Sequence, residues 1–404
     1  MYVRAGPRAI HQGDCGGMQV SIDARYIRER PSGIGAYVQA LVDRLPLASA
    51  TDRFHFWVHP KAKRPLSPAP NVSETVVNAP ANGLSTLLWP SRLVPLQDVD
   101  VLHAPFNILG RGLRCTRVTT VHDLMWVLTP HFCERMSVTR PFSAAFFRDG
   151  IVRALRESTR IHAISQATAD VIALHFPEVS GRVRVIPHGI DARYRPPEDR
   201  EKVRAAVLER IGLQSDDVYF LVVGQNAPYK NHADILRAFS GAKLGPGVKL
   251  VLLQRLNQRG RFGWSTTSAL YPLSVQLGIQ DQVVWLSQIS DAEILQLLQS
   301  ACGLIQYSLC EGFGMPALEA AACGTPVIAS DIAPLVEVLG PEGLCVSLEP
   351  AALSKALQRV AREPALRQEL SEAGVARSRD FCWDRCAGAH LELYREAAEA
   401  GPLR

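Results

Sequence analysis

With 404 residues, 47% of them hydrophobic and 21% charged, the chain is too long for one compact core and too apolar to be disordered, so two domains are expected. No apolar run reaches the ~18 residues that span a bilayer, and no short apolar segment behind a basic start reads as a secretory signal, which points to the cytoplasm. The net charge of +5 is unevenly placed: residues 1–184 hold 22 Lys and Arg against 14 Asp and Glu, the remainder 22 against 25, and a basic front half could meet nucleic acid, anionic lipid or an anionic acceptor.

Residues 1–17 have no period and end in glycines, so they read as a disordered extension, with Met18 opening the first strand-like run. Buried parallel strands are predicted near 54–58, 99–103, 117–121 and 161–164, with helices near 34–45, 137–156 and 166–175. The Pro-, Asn- and Ser-rich stretch from Pro60 to Pro95 reads mostly as loop. A second alternating series follows Pro187, with strands near 218–224, 248–253, 283–286, 303–306, 326–329 and 344–346. The predicted fold class is α/β, two doubly wound Rossmann-like domains in tandem (18–187 and 188–380), with ligands expected beyond the carboxyl ends of the strands in the cleft between them. Residues 381–404 are expected to form a helix returning to the first domain.

The nine cysteines are scattered, without the close pairs of a zinc site or a disulfide framework; Cys382 and Cys386 could share a helix face, but two thiols make a poor metal site. Asp98-Val-Asp100 runs into an apolar strand and lacks a phosphate-facing context, so no metal site and no cofactor are expected.

The densest signal is Ser308-Leu-Cys-Glu311-Gly-Phe313-Gly314-Met315-Pro316-Ala-Leu-Glu319, just after the strand Gly303-Leu-Ile-Gln306. Glycines let backbone approach a ligand closely, and Pro316 suits the first turn of a helix whose free amides would face a diphosphate. Either Glu alone reads equally well as a cap or a surface charge. Gly33-Ile-Gly35 after the first strand suggests a dinucleotide turn, but the third glycine of that fingerprint falls on Val38, which argues against NAD. His122 follows the apolar run Val118–Val121, and Lys230 lies just beyond strand 218–224, where a cation can neutralise a departing diphosphate. A packed histidine and a solvated loop lysine are the plain alternatives.

Glu311 and Glu319, with seven residues between them around Gly-Phe-Gly, resemble the signature of glycosyltransferase family 4, the retaining enzymes of the GT-B fold. Ser32-Gly33-Ile-Gly35, Thr120-Val-His122-Asp123, His162-Ala-Ile-Ser165, Val185-Ile-Pro-His188-Gly and Val223-Gly224 through Tyr229-Lys230-Asn231 resemble further family segments in the same order, from residue 18 to about 395. The resemblance implies a nucleotide-diphosphate sugar donor, best GDP-mannose with a UDP-sugar as alternative, and a glycan or polyprenyl-linked acceptor in surface polysaccharide or lipopolysaccharide synthesis. It implies His122 and Glu311 as catalytic residues, and Gly33, Gly35, Gln225, Lys230, Gln288, Phe313, Gly314, Met315 and Glu319 around the donor, with Glu319 on its ribose. Gln225, His188, Gln254-Arg255 and Ser287-Gln288 depart from the family's usual residues, which leaves the donor base open.

A nucleotide-sugar epimerase, a phosphorylase and a non-catalytic sugar-nucleotide-binding module share this scaffold; the retained Lys230, Glu311 and Glu319 argue against all three. Nucleic acid is not an expected partner. The segment Arg140–Arg156 mixes aromatics with Arg148, Arg153 and Arg156 on a predicted helix, which reads as ordinary packing with a solvated basic face or as a peripheral contact with anionic membrane.

Overall fold

The computed structural model describes residues 17–28, 33–133, 140–253, 267–287 and 289–403. Residues 1–16, Arg255 and Gln288, on which sequence expectations fall, lie outside them. The first sheet has seven strands, β1 (Gln19–Ile22), β2 (Arg53–Val58), β3 (Val72–Val76), β4 (Val101–Ala104), β5 (Thr116–Val121), β6 (Arg160–Ala163) and β7 (Val183–Val185), in the order β3-β2-β1-β4-β5-β6-β7. The second has six, β8 (Val218–Val223), β9 (Val248–Leu253), β10 (Val283–Leu286), β11 (Gly303–Gln306), β12 (Val327–Ser330) and β13 (Leu344–Val346), in the order β10-β9-β8-β11-β12-β13. All pairings are parallel, and strand order reverses between β1 and β4 and again between β8 and β11. Those two switch points open crevices at the carboxyl ends of the strands.

Central strands here are covered by helices on both faces, so they read as unbroken buried runs; all six residues of β5 are buried. β3 breaks that rule and was expected to be loop. It is an edge strand paired only with β2, and because its residues are half-buried or exposed it needs no apolar run. A short helix, Leu84–Leu88, also interrupts the expected loop.

The core of the first domain is completed from the far end of the chain. On the helix Trp383–Ala400, Trp383, Cys386, Ala387, Leu391, Tyr394 and Ala397 join the cluster built by β1, β2 and the helix Gly33–Ala48. The chain therefore crosses between the domains twice, and the crossings touch: Ile190 bridges Cys382 in parallel, and Ile190 N donates to Phe381 O at 3.3 Å. Ile164, Phe313, Leu318, Val338 and Phe381 form an apolar seam beside them.

The predicted basic helix forms over Arg140–Glu157, but the expectation of a solvent- or lipid-facing Arg153 fails. Arg153 is 7% exposed, donates to Leu109 O at 3.0 Å and pairs with Asp149. Helical period could not reveal this, because the burying partner is a loop 44 residues away. Arg148 and Arg156 remain exposed. Among the described residues no helix is long and apolar enough to cross a membrane.

Candidate active site

Two loops of the second domain build the floor of the cleft. After β8 the chain passes Gly224 and the exposed Gln225, makes a 3-10 turn at Pro228–Lys230, and turns left-handed at Asn231 (φ 53°) into the helix His232–Ala242. After β11 it runs through Ser308 and Glu311 to Gly314. Gly314 adopts φ 107°, and a Cβ there would lie 2.4 Å from Leu335 Cδ2, so only glycine can launch the helix Met315–Ala322 on this line. The two loops are tied by Leu309 N donating to Tyr229 O at 2.7 Å.

That tie brings together Lys230 and Glu311, 81 residues apart in sequence, with Lys230 Nζ 2.6 Å from Glu311 Oε1. Ser308 Oγ donates to the same oxygen at 2.7 Å and Gln306 Nε2 at 3.1 Å. Among the described residues every hydrogen bond to this carboxylate engages Oε1, so Oε2 keeps its acceptor capacity. Burial works against a charged Lys230, but the Glu311 carboxylate overrides it and holds the ammonium above its usual range. Around the pair, Asn231 Nδ2, His232 Nδ1 and Gln306 Oε1 are buried without a protein partner, which marks a polar surface that a ligand can satisfy.

The first domain supplies the roof. His122 stands at the end of β5, its amide held by Asn107 Oδ1 at 2.6 Å and its ring Nε2 donating to Pro105 O at 2.9 Å. Because a carbonyl only accepts, Nε2 carries the proton and Nδ1 is left with a lone pair. Burial drives this histidine down to about 4, so the ring is neutral at pH 7. Its carbonyl oxygen lies against Gly312, where a Cβ would come within 1.8 Å; the glycine is what lets the Glu311 loop meet the end of β5. Ser165 Oγ and Thr168 Oγ1 grip the same loop by donating to Gly312 O at 2.8 and 3.3 Å. Asp123 is pushed up to about 6, mainly by burial and further by the nearby Glu311 carboxylate. A cavity of about 190 Å³ lies here, lined by Asp123, Met125, Thr168, Cys310, Glu311 and Pro334.

The remaining expected residues divide. Glu319 sits on the outgoing helix, half-buried, hydrogen-bonded by the Tyr194 hydroxyl, which burial and this carboxylate push far up. Gly33 and the buried Gly35 lie in the first turn of the helix after β1. Phe313, expected at the donor, is 3% exposed and packs in the apolar seam, its ring edge-on to Phe381 at 5.6 Å. Asp100 takes the amide of Gln19 at 2.8 Å, a structural role. Among the described residues no group of three His, Cys, Asp or Glu side chains is arranged to hold a metal ion. Gln306, Thr168 and Tyr194 went unnoticed in sequence, since each matters only through a partner far along the chain.

Two doubly wound sheets facing across a polar cleft, with a glycine-launched helix and a lysine–glutamate pair at the switch point of the second, define a GT-B glycosyltransferase scaffold. The chain belongs to the glycosyltransferase family so built: the model described as Glycosyltransferase Family 4 matches residues 31–194, and that of Glycosyl transferases group 1 matches residues 204–377. It is 31% identical to an MMP alpha-(1->4)-mannosyltransferase of Mycolicibacterium hassiacum, over 74% of this chain and 71% of that protein. Against a D-inositol 3-phosphate glycosyltransferase of Streptomyces avermitilis it is 28% identical over 62% of this chain, and it spans about half (54%) of that relative's length. The sucrose-phosphate synthase of Thermosynechococcus elongatus superposes with a TM-score of 0.70 at 21% identity, covering 94% of this chain and 98% of that one, which is a likeness of fold.

Proposed function

We propose that the protein transfers a hexose from a nucleotide-diphosphate sugar to a glycan or lipid-linked acceptor, with retention of anomeric configuration and without a metal. The observation that carries the reading is the Lys230–Glu311 pair, 2.6 Å apart just ahead of the helix Met315–Ala322. Lys230 and the positive end of that helix bear the charge that gathers on the departing diphosphate. Glu311, with Oε1 anchored, offers Oε2 to sugar hydroxyls. The acceptor oxygen bonds to the anomeric carbon on the face from which the diphosphate leaves, and the acceptor proton passes to the departing phosphate oxygen. His122, uncharged and with its carbonyl turned to the Glu311 loop, supports positive charge on the sugar ring without repelling it. Glu319 holds the donor ribose.

Mannose from GDP-mannose is the preferred donor, supported by the similarity to a mannosyltransferase. Exposed Arg148 and Arg156 are the groups by which the protein would rest on an anionic membrane where a lipid-linked acceptor is presented. The test is release of nucleoside diphosphate from GDP-, UDP- and ADP-sugars, with and without acceptor and with and without EDTA. Acceptor-dependent release that survives chelation is expected. Loss of turnover in EDTA that magnesium or manganese restores would refute the metal-free scheme.

A further inference from the structure

One contact between the domains lies outside the cleft chemistry yet is aimed at it. The helix Gln166–His175 begins beside the Glu311 loop, and its first amides need acceptors. Ser165 takes the amide of Thr168 at 3.0 Å. The amides of Gln166 and Ala167 are taken by the other domain: Glu337 Oε1 accepts from Gln166 N at 2.8 Å and Oε2 from Ala167 N at 2.9 Å. A two-pronged carboxylate on the positive end of a helix is the favourable sign and geometry for such a contact.

Both ends of this link are fixed. Glu337 rides on the helix Ala333–Leu339, whose last carbonyls are held by Arg377: NH2 donates to Glu337 O at 2.7 Å and Nε to Val338 O at 3.2 Å. Arg377 also lies over Phe381, at the second crossing between the domains. At the other end Ser165 and Thr168, in the same helix start, grip Gly312 O next to Glu311. Glu337 thus ties the helix start that grips the Glu311 loop to a second point of the other domain.

We propose that Glu337 is the latch of domain closure, a positioning residue that sets the separation of the Glu311 loop from the end of β5 through the N-terminus of the helix Gln166–His175. Its kinetic consequence rests on the transferase reading above; its structural consequence does not. The full chain and two variants, Glu337→Ala and Ala167→Pro, test it. The second approaches from the other domain: proline suits a first helical turn but removes the amide that Glu337 Oε2 accepts. Small-angle scattering is expected to give a larger radius of gyration for both variants than for the parent at unchanged melting temperature. Steady-state assays are expected to show kcat lowered about tenfold, while free nucleoside diphosphate, bound by one domain, keeps its affinity within about twofold. Glu337→Gln, which keeps one acceptor and loses the charge, should fall between. Combining Glu337→Ala with Ala167→Pro should add little to either alone. Unchanged scattering in both single variants overturns the latch, whatever the rates. A changed radius with an unchanged kcat overturns the positioning role. If the parent itself transfers no sugar, the transferase reading fails and the scattering still decides the latch.

Discussion

The two domains share one topology and fill it differently. The second buries leucines, isoleucines and valines on both faces of its sheet and keeps its charged groups, Lys230, Glu311 and Glu319, at the rim of the cleft. The first places a hydrogen-bonded network inside. Tyr37 Oη meets Thr120 at 2.8 Å and His390 at 2.9 Å, His103 bonds Thr120 and the Tyr394 hydroxyl at 2.8 Å each, and His162 donates to Ile186 O at 2.7 Å. Burial pulls His103 and His162 well below their usual range and His390 down to about 4. The second domain thus sets a lysine–glutamate pair at the cleft, and the first uses polarity to fix how a distant helix docks.

If the rim of the second domain is where reactivity lies, the largest effect should come from Glu311→Ala. Turnover should fall by at least ~10²-fold, the scale for losing one positioned electrostatic group, while free nucleoside diphosphate still binds nearly normally. A folded variant with near-parental turnover would erase the distinction between rim and interior. Lys230→Ala should lower kcat more than donor affinity, because its partner gains charge only as the bond breaks. It also leaves Glu311 with neutral donors only, so its melting temperature must be followed beside the rates. Glu319→Ala should act oppositely, weakening donor and free diphosphate alike by about tenfold through a lost charge-assisted hydrogen bond, with kcat at saturation little changed. Titration with the diphosphate beside steady-state rates distinguishes all three.

The interior contrast is sharpened by pH. A histidine held neutral in the fold but titrating near 6.5 when unfolded contributes stability that is intact above that value and is lost as pH falls below it, down toward its folded value. His103, His122, His162, His188 and His390 are all depressed in this way by burial. His188 opens the second domain but packs against Tyr37, His122 and Trp383 of the first domain's core; beyond it, only His232, drawn down to about 4, behaves likewise in the second domain among the described residues. Asp123, raised to about 6, has the opposite sign, losing stability as pH rises between about 3.8 and 6; Asp43, also raised by burial, shares that sign, and two such groups do not offset five. Calorimetry from pH 7 to pH 5 should show each domain losing on the order of 1 kcal/mol per buried histidine per pH unit, so that the first, with several, falls severalfold more than the second, with His232. Transitions that shift together would break the comparison. The smallest effect concerns the outer face: neutralising Arg148 and Arg156 should weaken binding to anionic vesicles in a salt-dependent way, and Arg153→Gln should instead lower stability. Equal recovery of the parent on neutral and anionic vesicles would remove the membrane contact.

Most strands were legible because a parallel strand covered on both faces must be a continuous apolar run; β8 to β13 fall within a residue or so of their expected places. β3 was not, since an edge strand escapes that requirement. The Ser308–Glu319 segment was legible as a loop and helix start because glycine and proline leave local marks, and Lys230 because it lies in the turn that follows a strand. What one chain read in order does not carry is pairing. The hold of Ser308 and Gln306 on Glu311, the seam position of Phe313, the burial of Arg153 and the reach of Glu337 across 170 residues each depend on a partner no local pattern names.

The return of the helix Trp383–Ala400 to the first domain has a consequence for synthesis. The amino-terminal half emerges from the ribosome with its strands complete but lacking the residues that seal Tyr37, His103 and His162. A domain that must await the helix Trp383–Ala400 cannot mature while the middle of the chain is being made, and the contact it waits for spans 353 residues, from Tyr37 to His390. The second domain, continuous in sequence, is free to fold first. The first domain should therefore be completed after the second, and a chain halted before Trp383 would hold a folded second domain behind an unfinished first.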